Sequence, residues 1–235
     1  MAAPSPDDFP KLTIDFQRGD SDDPHCTALP DKLYAQFMTP HPKIKGRGRY
    51  EVGCSILVLP KTYDEYWGHV GYYTRRKVRK AEKEGYVFER IDRNKYLDDI
   101  FAINTSADER QGRPMTEAYR RKVEPYPPLP EYSCPQHQYR TYGVLREGHL
   151  YAYIWVYQVG ELWWLSTLLG HAEHLSNGIM FLLMTGAIQD LMEASRVKYA
   201  MYTEHLSGSD GLRFFKEQLG FQPYTVRWMR GPQEV

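Results

Sequence analysis

A basic segment at residues 75–83 carries side chains suited to binding phosphate. It holds six cations and one carboxylate, a net charge of plus five (six minus one): Arg75, Arg76, Lys77, Arg79, Lys80, Lys83 and Glu82. Cations three and four residues apart share one face of a helix, and such a row can follow a chain of phosphates. Tyr72 and Tyr73 lie one turn earlier and are suited to stacking on a base. A solvated helix face is the alternative, and the sequence leaves both interpretations open.

A second candidate binding site is the loop at residues 109–115. It contains the run Arg110, Gln111, Gly112 and Arg113. Guanidinium groups pair with carboxylates and phosphates, and a glycine lets the backbone approach a ligand closely. The structural alternative is a salt bridge to Asp108 or Glu109.

The segment at residues 171–177 raises the question of a metal site, because His171 and His174 lie three residues apart with Glu173 between them. Zinc needs three or four converging ligands. An H-x-x-H pair without a second pair supplies only half of a site, so we predict no metal. The simpler interpretations are hydrogen bonding at a donor site, or a loop in which Ser176 or Asn177 caps the following helix.

Other reactive chemistry has no support in the sequence. Cys26, Cys54 and Cys134 are odd in number and scattered without a CxxC pair, which argues against a disulfide framework and a zinc ribbon and fits a reducing cytoplasm. We find no G-x-S-x-G elbow, Walker A loop or GxGxxG fingerprint. We therefore predict no covalent nucleophile and no tightly bound cofactor.

The composition is that of an ordinary globular domain. The 235 residues include 30 Lys and Arg against 30 Asp and Glu, so global charge demands no nucleic acid or membrane partner. The uncharged run at residues 174–189 is too short and too polar for a membrane span, and we predict a buried helix there. The N-terminus lacks the pattern of a signal peptide. These features predict a cytoplasmic protein.

The elements that must position these residues follow from periodicity and turn signals. Residues 1–45 are acidic and proline-rich and predict a partly flexible lead-in, followed by one domain at residues 46–235. A strand is predicted over residues 50–59, and a helix begins at Thr62 with Glu65 completing a capping box and ends at Gly85. From residue 86 the predicted order is β, α, α, β, β, β, α, β, α, β.

This order and the ending GLRFFKEQLGF resemble the GNAT acyltransferase superfamily, over about residues 62–230. The segments RRKVRKAEKEGYVF, INTSADERQGRPM and GLRFFK are similar to the Fem-type branch, which transfers amino acids from aminoacyl-tRNA, and to its single-domain relatives. The resemblance implies a single-domain α/β fold with a mixed, mostly antiparallel sheet of about seven strands.

The resemblance also implies where substrates bind. The family holds the pyrophosphate of acetyl-CoA with a glycine-rich turn before the long helix, whereas the stretch LLGHAEHLSNGIM has only Gly178 near that place. The implied donor-binding residues are Leu168, Leu169, Gly170, Ser176, Asn177 and Gly178, and the basic segment adds Arg79 and Lys80 as donor contacts. The implied acceptor-binding residues are Arg110, Gln111 and Arg113.

The implied reaction is direct attack by an amine on an activated acyl or aminoacyl group in a ternary complex. Glu204 or His205 would take the amine proton, Tyr202 would protonate the leaving group, and Lys216 would stabilise the oxyanion. The donor is an acyl-CoA thioester or an aminoacyl-tRNA ester, and the acceptor a small molecule or peptide. The alternative is a non-catalytic module that binds RNA or another phosphate-rich partner through residues 75–83. The sequence does not specify the oligomeric state.

Overall fold

The computed structural model describes residues 8–19, 24–110, 113–127, 134–194 and 197–231. Its strands and helices are, in chain order, β1 (Lys11–Asp15), α1 (Pro24–Phe37), β2 (Cys54–Val58), α2 (Tyr63–His69), α3 (Tyr72–Lys83), β3 (Val87–Arg90), α4 (Leu97–Thr105), β4 (Glu109–Arg110), β5 (Arg113–Pro114), α5 (Glu117–Arg120), β6 (His137–Arg146), β7 (His149–Val159), β8 (Leu162–Gly170), α6 (Ile179–Ala194), β9 (Tyr199–Glu204), α7 (Asp210–Gln218) and β10 (Gln222–Met229).

The main sheet has eight strands in the order β1-β10-β2-β9-β8-β7-β6-β3. The pairs β1 with β10 and β8 with β9 are parallel, and the other pairs are antiparallel. The predicted mixed, mostly antiparallel sheet is therefore confirmed. The seven predicted strands are all present, and β1 is the additional one.

Successive side chains of a strand point to opposite faces of the sheet, so the apolar residues of the strands form a core on each face. Trp163 and Leu57 pack on one face beneath α2, α3, α6 and α7. Trp164 and Ile56, their chain neighbours, pack on the other face against α1. Helix α4 covers the same face as α1 further along the sheet, over Tyr153. The chain thus forms three layers, with helices on both faces of one sheet.

The N-terminal segment is more regular than its composition predicts. Strand β1 pairs with β10, and α1 buries Leu33 and Phe37 completely or almost completely. The aspartates and prolines indicated a partly flexible lead-in. The apolar side chains of β1 and α1 instead pack against residues that are distant in the sequence. Residues 1–7 and 20–23 lie outside the described part.

The helix predicted over residues 62–85 is two helices. Its N-terminus is as predicted, because the Glu65 amide donates to Thr62 Oγ1 at 3.2 Å. The chain then breaks between α2 and α3, where Arg75 Nη1 donates to the carbonyl oxygens of Trp67, at 3.1 Å, and Val70, at 2.7 Å. Arg75 therefore caps the end of α2, so its guanidinium serves the fold.

Candidate functional site

A gap opens in the sheet where β8 and β9 separate. The two strands pair only from Leu162 with Tyr199 to Trp164 with Met201. Beyond that point each strand keeps its other neighbour, and a bulge in β8 places Thr167 and Leu165 opposite consecutive residues of β7. A bulge bends a strand and ends regular pairing. The facing edges of β8 and β9 are therefore free of each other at their carboxyl ends.

A cleft of about 400 Å³ occupies this gap. Its walls are the end of β8, the β4 loop, the first turns of α6 and α7, and β9. Most lining side chains are apolar, and the two charged ones are Glu109 and Arg110: Ala107, Glu109, Arg110, Leu168, Leu169, Gly170, Ala172, Leu175, Met180, Tyr202, Ser209, Gly211, Leu212 and Phe215. The predicted donor contacts Leu168, Leu169 and Gly170 thus form one wall, and an apolar cleft of this kind suits an acyl group.

Arg110 holds the rim of the cleft together. Its Nη1 donates to the Gly170 carbonyl oxygen at 2.9 Å, and its Nη2 donates to the Ile103 carbonyl oxygen at 2.8 Å and to Ser106 Oγ at 2.9 Å. Burial lowers the pKa of this guanidinium. Arg110, the predicted acceptor contact, therefore lies in the cleft. Its two Nη atoms already bond to protein acceptors, and they connect β8 to the end of α4.

The other predicted acceptor residues of this loop have fewer contacts with the cleft. Arg113 is exposed, pairs with Arg110 across the short β4–β5 ladder, and is not a lining residue of the cleft. Gln111 lies outside the described residues. The alternative of a salt bridge next to the loop is formed instead by Asp108 with Arg120, at 3.0 Å.

Lys216 lies in a buried cluster behind the cleft. Its side chain is fully buried, and its Nζ donates to the Glu204 carbonyl oxygen at 2.5 Å. The same Nζ lies 5.1 Å from the centroid of the Tyr202 ring. Burial lowers the pKa of Lys216 to about 8, an effect that Glu204 opposes and Arg213 reinforces. Lys216 is therefore no surface residue, although it contacts the end of β9 and not the cleft itself.

Tyr202 is the member of the predicted catalytic set that lines the cleft. It is buried, and burial raises the pKa of its hydroxyl. The next residue, Thr203, has a φ of 51°, a left-handed conformation that a β-branched residue rarely adopts. This strained residue separates the cleft-lining part of β9 from its tip.

Glu204 and His205 lie beyond that kink and are not lining residues of the cleft. The Glu204 carboxylate lies 3.8 Å from Arg49 Nε. His205 is buried, with Nδ1 3.2 Å from Ser55 Oγ and Nε2 3.6 Å from Glu217 Oε1. Burial and the charge of Lys216 lower the pKa of His205. Tyr202, Glu204, His205 and Lys216 thus form one contiguous group, of which Tyr202 reaches the cleft.

The turn before α6 packs against other parts of the protein. It is a 3₁₀ helix at Ala172–Asn177, in which the amides of Ala172 and Gly178 already donate to Ser106 Oγ and the Leu175 carbonyl oxygen. Gly178 has a φ of 89°, and a Cβ there would lie 2.3 Å from the Lys77 carbonyl oxygen. Gly178 therefore permits close packing against α3.

The basic face of α3 lies against this turn. Lys77 Nζ and Lys80 Nζ each donate to the Ser176 carbonyl oxygen at 3.2 Å, and Lys80 also lies 3.4 Å from Asn177 Oδ1. Arg79 is exposed beside them. The predicted donor residues Ser176, Asn177, Gly178 and Lys80 are thus brought together, whereas no contact joins Arg79 to the turn among the described residues.

The predicted histidine pair is part of a polar network beside the same turn. The Tyr86 hydroxyl lies 2.5 Å from His174 Nδ1 and accepts hydrogen bonds from Arg146 and Asn177. Burial and the neighbouring His171 lower the pKa of His174. The side chains of His171, Glu173 and His174 bring their ligand atoms within 4.8 Å of one another. One nitrogen of this His-Glu-His group, Nδ1 of His174, is already hydrogen-bonded to Tyr86.

Glu109 is a functional candidate that the sequence analysis did not single out. Among the described residues that line the cleft it is the one carboxylate, and it is exposed. Its position next to Arg110 was visible in the sequence, but only as a salt-bridge partner. Only the folded chain shows that Glu109, which pairs with Pro114 in the β4–β5 ladder, lines the cleft.

Comparisons with known proteins identify the fold. No family model and no curated protein matches the sequence. FemX shares the fold with a TM-score of 0.58 at 13% identity, over 88% of this chain and 68% of FemX. The C-terminal domain of a putative lysylphosphatidylglycerol synthetase from Agrobacterium fabrum gives a TM-score of 0.46 at 11% identity, over 73% of this chain and 58% of that one.

A GCN5-related N-acetyltransferase from Kribbella flavida gives a TM-score of 0.39 at 16% identity, over 59% of this chain and 47% of that one. This chain thus spans about half to two thirds of the three solved chains. The FemX match confirms the predicted GNAT-like architecture and its Fem-type likeness at the level of the fold. Within the described residues, no helix has the length and apolarity needed to cross a membrane.

Proposed function

We propose that this chain transfers an acyl or aminoacyl group from an activated donor to an amine, in the cleft between β8 and β9. The observation that carries the proposal is the separation of these strands beyond Trp164 and Met201, which opens an apolar cleft against a free strand edge. The fold shared with FemX and the sequence resemblance to acyltransferases support it.

The free edge of β8 supplies the electrophilic side of the reaction. Successive residues of an antiparallel strand direct their amides to alternate sides. One of Leu168 and Leu169 therefore directs its N–H into the gap, where it can donate to the carbonyl oxygen of a bound acyl group. That hydrogen bond strengthens as the oxygen becomes an oxyanion, which is the main electrostatic requirement of acyl transfer.

Glu109 and Tyr202 supply the proton transfers in this proposal. The amine nitrogen attacks the donor carbonyl carbon, and the carbonyl electron pair moves onto oxygen. Glu109 accepts the proton that the nitrogen loses, and collapse of the intermediate expels a thiolate or a ribose hydroxyl oxygen. Tyr202, whose hydroxyl is kept neutral by burial, donates a proton to that leaving group and regains one from solvent.

Lys216 acts through Glu204 in this proposal. Its ammonium lies behind Tyr202 and holds the carbonyl of the residue that follows the strained Thr203. It fixes the end of β9, and its positive charge adds to the potential at the developing oxyanion. We therefore treat Lys216 as a positioning residue.

An aminoacyl-tRNA ester is the donor that the site favours. The turn before α6 uses the Ala172 and Gly178 amides within the protein and packs closely against α3, so these two amides do not serve a CoA pyrophosphate. Arg76, Arg79 and Lys83 instead form an exposed row on α3, the helix whose Lys77 and Lys80 contact this turn. Such a row matches an extended phosphate backbone better than a single pyrophosphate.

Transfer of isotope from labelled donors to a panel of amines tests the function. Charged tRNA and acyl-CoA are incubated separately with the protein, with Tyr202→Phe, and with the exposed-lysine control Lys61→Met. We expect labelled amide from charged tRNA with the wild type and the control, and a rate at least about tenfold lower with Tyr202→Phe. Binding of tRNA without transfer to any amine would instead support a non-catalytic RNA-binding module.

A further inference from the structure

A cluster of two thiols and an imidazole lies far from the candidate active site. It consists of Cys26 on α1, Cys134, and His137 at the start of β6. Their ligand atoms all lie within 4.8 Å of one another. Cys26 and Cys134 are each 7% exposed, and His137 is fully buried.

The orientation of His137 prepares one nitrogen as a ligand. Its Nε2 lies 2.9 Å from the Phe16 carbonyl oxygen, which can only accept, so Nε2 carries the proton. The other nitrogen, Nδ1, then carries a lone pair, and it faces Cys134 Sγ at 3.0 Å. A backbone carbonyl that fixes the ring and its tautomer in this way is the usual partner of a metal-binding histidine.

We propose that Cys26, Cys134 and His137 bind a structural zinc ion through two thiolates and one imidazole nitrogen. Zinc takes sulfur at about 2.3 Å and nitrogen at about 2.0 Å in a tetrahedron, which needs ligand atoms about 3.5 Å apart. Side-chain shifts of about 1 Å or less would bring the three ligand atoms to that spacing. Small changes of the χ angles within one rotamer allow shifts of this size. A water molecule would supply the fourth ligand, and the burial of the cluster keeps this position from a substrate, unlike the open position of a catalytic zinc site.

The charges of the ion and its ligands cancel, which favours zinc binding at this buried cluster. Zinc binding displaces the two thiol protons to solvent and leaves a divalent cation with two thiolates and a neutral imidazole, which together carry no net charge. A neutral group avoids most of the cost of burying an isolated ion. Cysteine sulfur and imidazole nitrogen are also the ligands that zinc prefers.

The position of the site indicates a structural role. His137 pairs with Val159, and Val159 pairs with Leu162, so the cluster lies at the start of β8, whereas the cleft lies at its end. Six or more residues of strand separate the two, about 20 Å at ~3.3 Å per residue. The ion would link α1 to the first residues of β6. The scattered cysteines gave no zinc pattern in the sequence because only folding brings Cys26 to Cys134.

Metal content and a cobalt spectrum test the proposal. The protein, produced without a histidine tag and kept reduced, is dialysed against zinc chloride and then buffer, and its zinc is measured by mass spectrometry. We expect about one zinc per chain. Cobalt(II) added to metal-stripped protein should give a thiolate-to-metal charge-transfer band and tetrahedral d–d bands. The matched control is Cys54→Ser, since Cys54 is also a buried free cysteine but its Sγ donates to the Tyr50 carbonyl oxygen.

The variants Cys134→Ser and His137→Gln should lose the zinc and weaken or abolish the cobalt bands, while Cys54→Ser retains both. Should a variant fail to fold, the wild type alone decides through a chelator that lowers its thermal midpoint reversibly, with zinc chloride restoring it. Reduced wild-type protein that holds no zinc and gives no thiolate band overturns the proposal. So does a disulfide between Cys26 and Cys134 that re-forms in zinc-containing buffer.

Discussion

The ammonium of Lys216 donates a hydrogen bond to the backbone carbonyl oxygen of Glu204, in a place from which solvent is excluded. The same oxygen also accepts a hydrogen bond from Ser207 Oγ at 2.9 Å. The carbonyl therefore keeps a partner when the lysine is removed. This separates the contribution of the positive charge from the cost of an unpaired carbonyl.

Replacing Lys216 by Met should change the pH dependence of stability. The pKa of Lys216 is about 8 in the folded protein, below its ordinary value of 10.5. Between these values the unfolded chain binds more protons, so the free energy of unfolding rises with pH, and the cost of the buried charge is present in full below pH 8. We expect the wild type to gain stability relative to Lys216→Met above pH 8. Urea denaturation of both proteins across this range measures the difference, and a constant difference would contradict the prediction.

Gly178→Ala should destabilise the protein more than Gly46→Ala. Both glycines have a positive φ, 89° and 74°, so both substitutions strain the backbone by about 1–2 kcal/mol. A Cβ at Gly46 meets nothing within 4 Å, whereas one at Gly178 lies 2.3 Å from the Lys77 carbonyl oxygen. That overlap should add about 1–3 kcal/mol. Equal losses in thermal unfolding would mean that α3 and the turn do not pack closely.

Much of the fold was predictable because its signals are local. The meander of β6, β7 and β8 alternates apolar residues between turns, and the Thr62 capping box marks the start of α2. Strand β1 escaped prediction because it is a short edge strand whose partner, β10, lies more than 200 residues away. The break between α2 and α3 escaped because it depends on Arg75 reaching back to α2.

The candidate site was less predictable because it depends on register. No local pattern shows that β8 and β9 separate after Trp164 and Met201. The helical spacing around Lys216 permits an exposed lysine, and only the packing of α7 against β9 buries it. Arg110 was identified as a functional residue from its type, yet its carbonyl partners become visible only in the folded chain.

Arg110→Met should impair both folding and transfer, whereas Arg113→Met should leave stability within about 0.5 kcal/mol. The first change removes the guanidinium donors to the carbonyl oxygens of Gly170 and Ile103, and a hydrogen bond from a charged group contributes about 1.5–3 kcal/mol. The end of β8 would then shift, so kcat should fall. Arg113 is exposed and does not line the cleft, so its replacement should leave kcat unchanged, and a rise in KM alone would support the predicted contact with the acceptor. Equal stability of the two variants would contradict the prediction that Arg110 stabilises the rim of the cleft.

The double variant Arg79→Glu, Lys80→Glu should weaken binding of tRNA and reduce its salt dependence. Removing a cation that pairs with a phosphate reduces the slope of log affinity against log salt by about 1. The matched control is Lys43→Glu, Lys45→Glu, two exposed lysines with the same change in charge. Filter binding at several salt concentrations measures both. A similar loss of affinity in the two double variants would show that net charge, and not the face of α3, determines binding.

Glu109→Gln should lower the rate of transfer about a hundredfold or more while leaving the fold intact. The exposed carboxylate lines the cleft, and the amide retains its size but accepts protons far more weakly. The matched control is Glu117→Gln, an exposed glutamate on α5 that does not line the cleft. Transfer by Glu109→Gln at more than about half the wild-type rate would assign the proton transfer to another group.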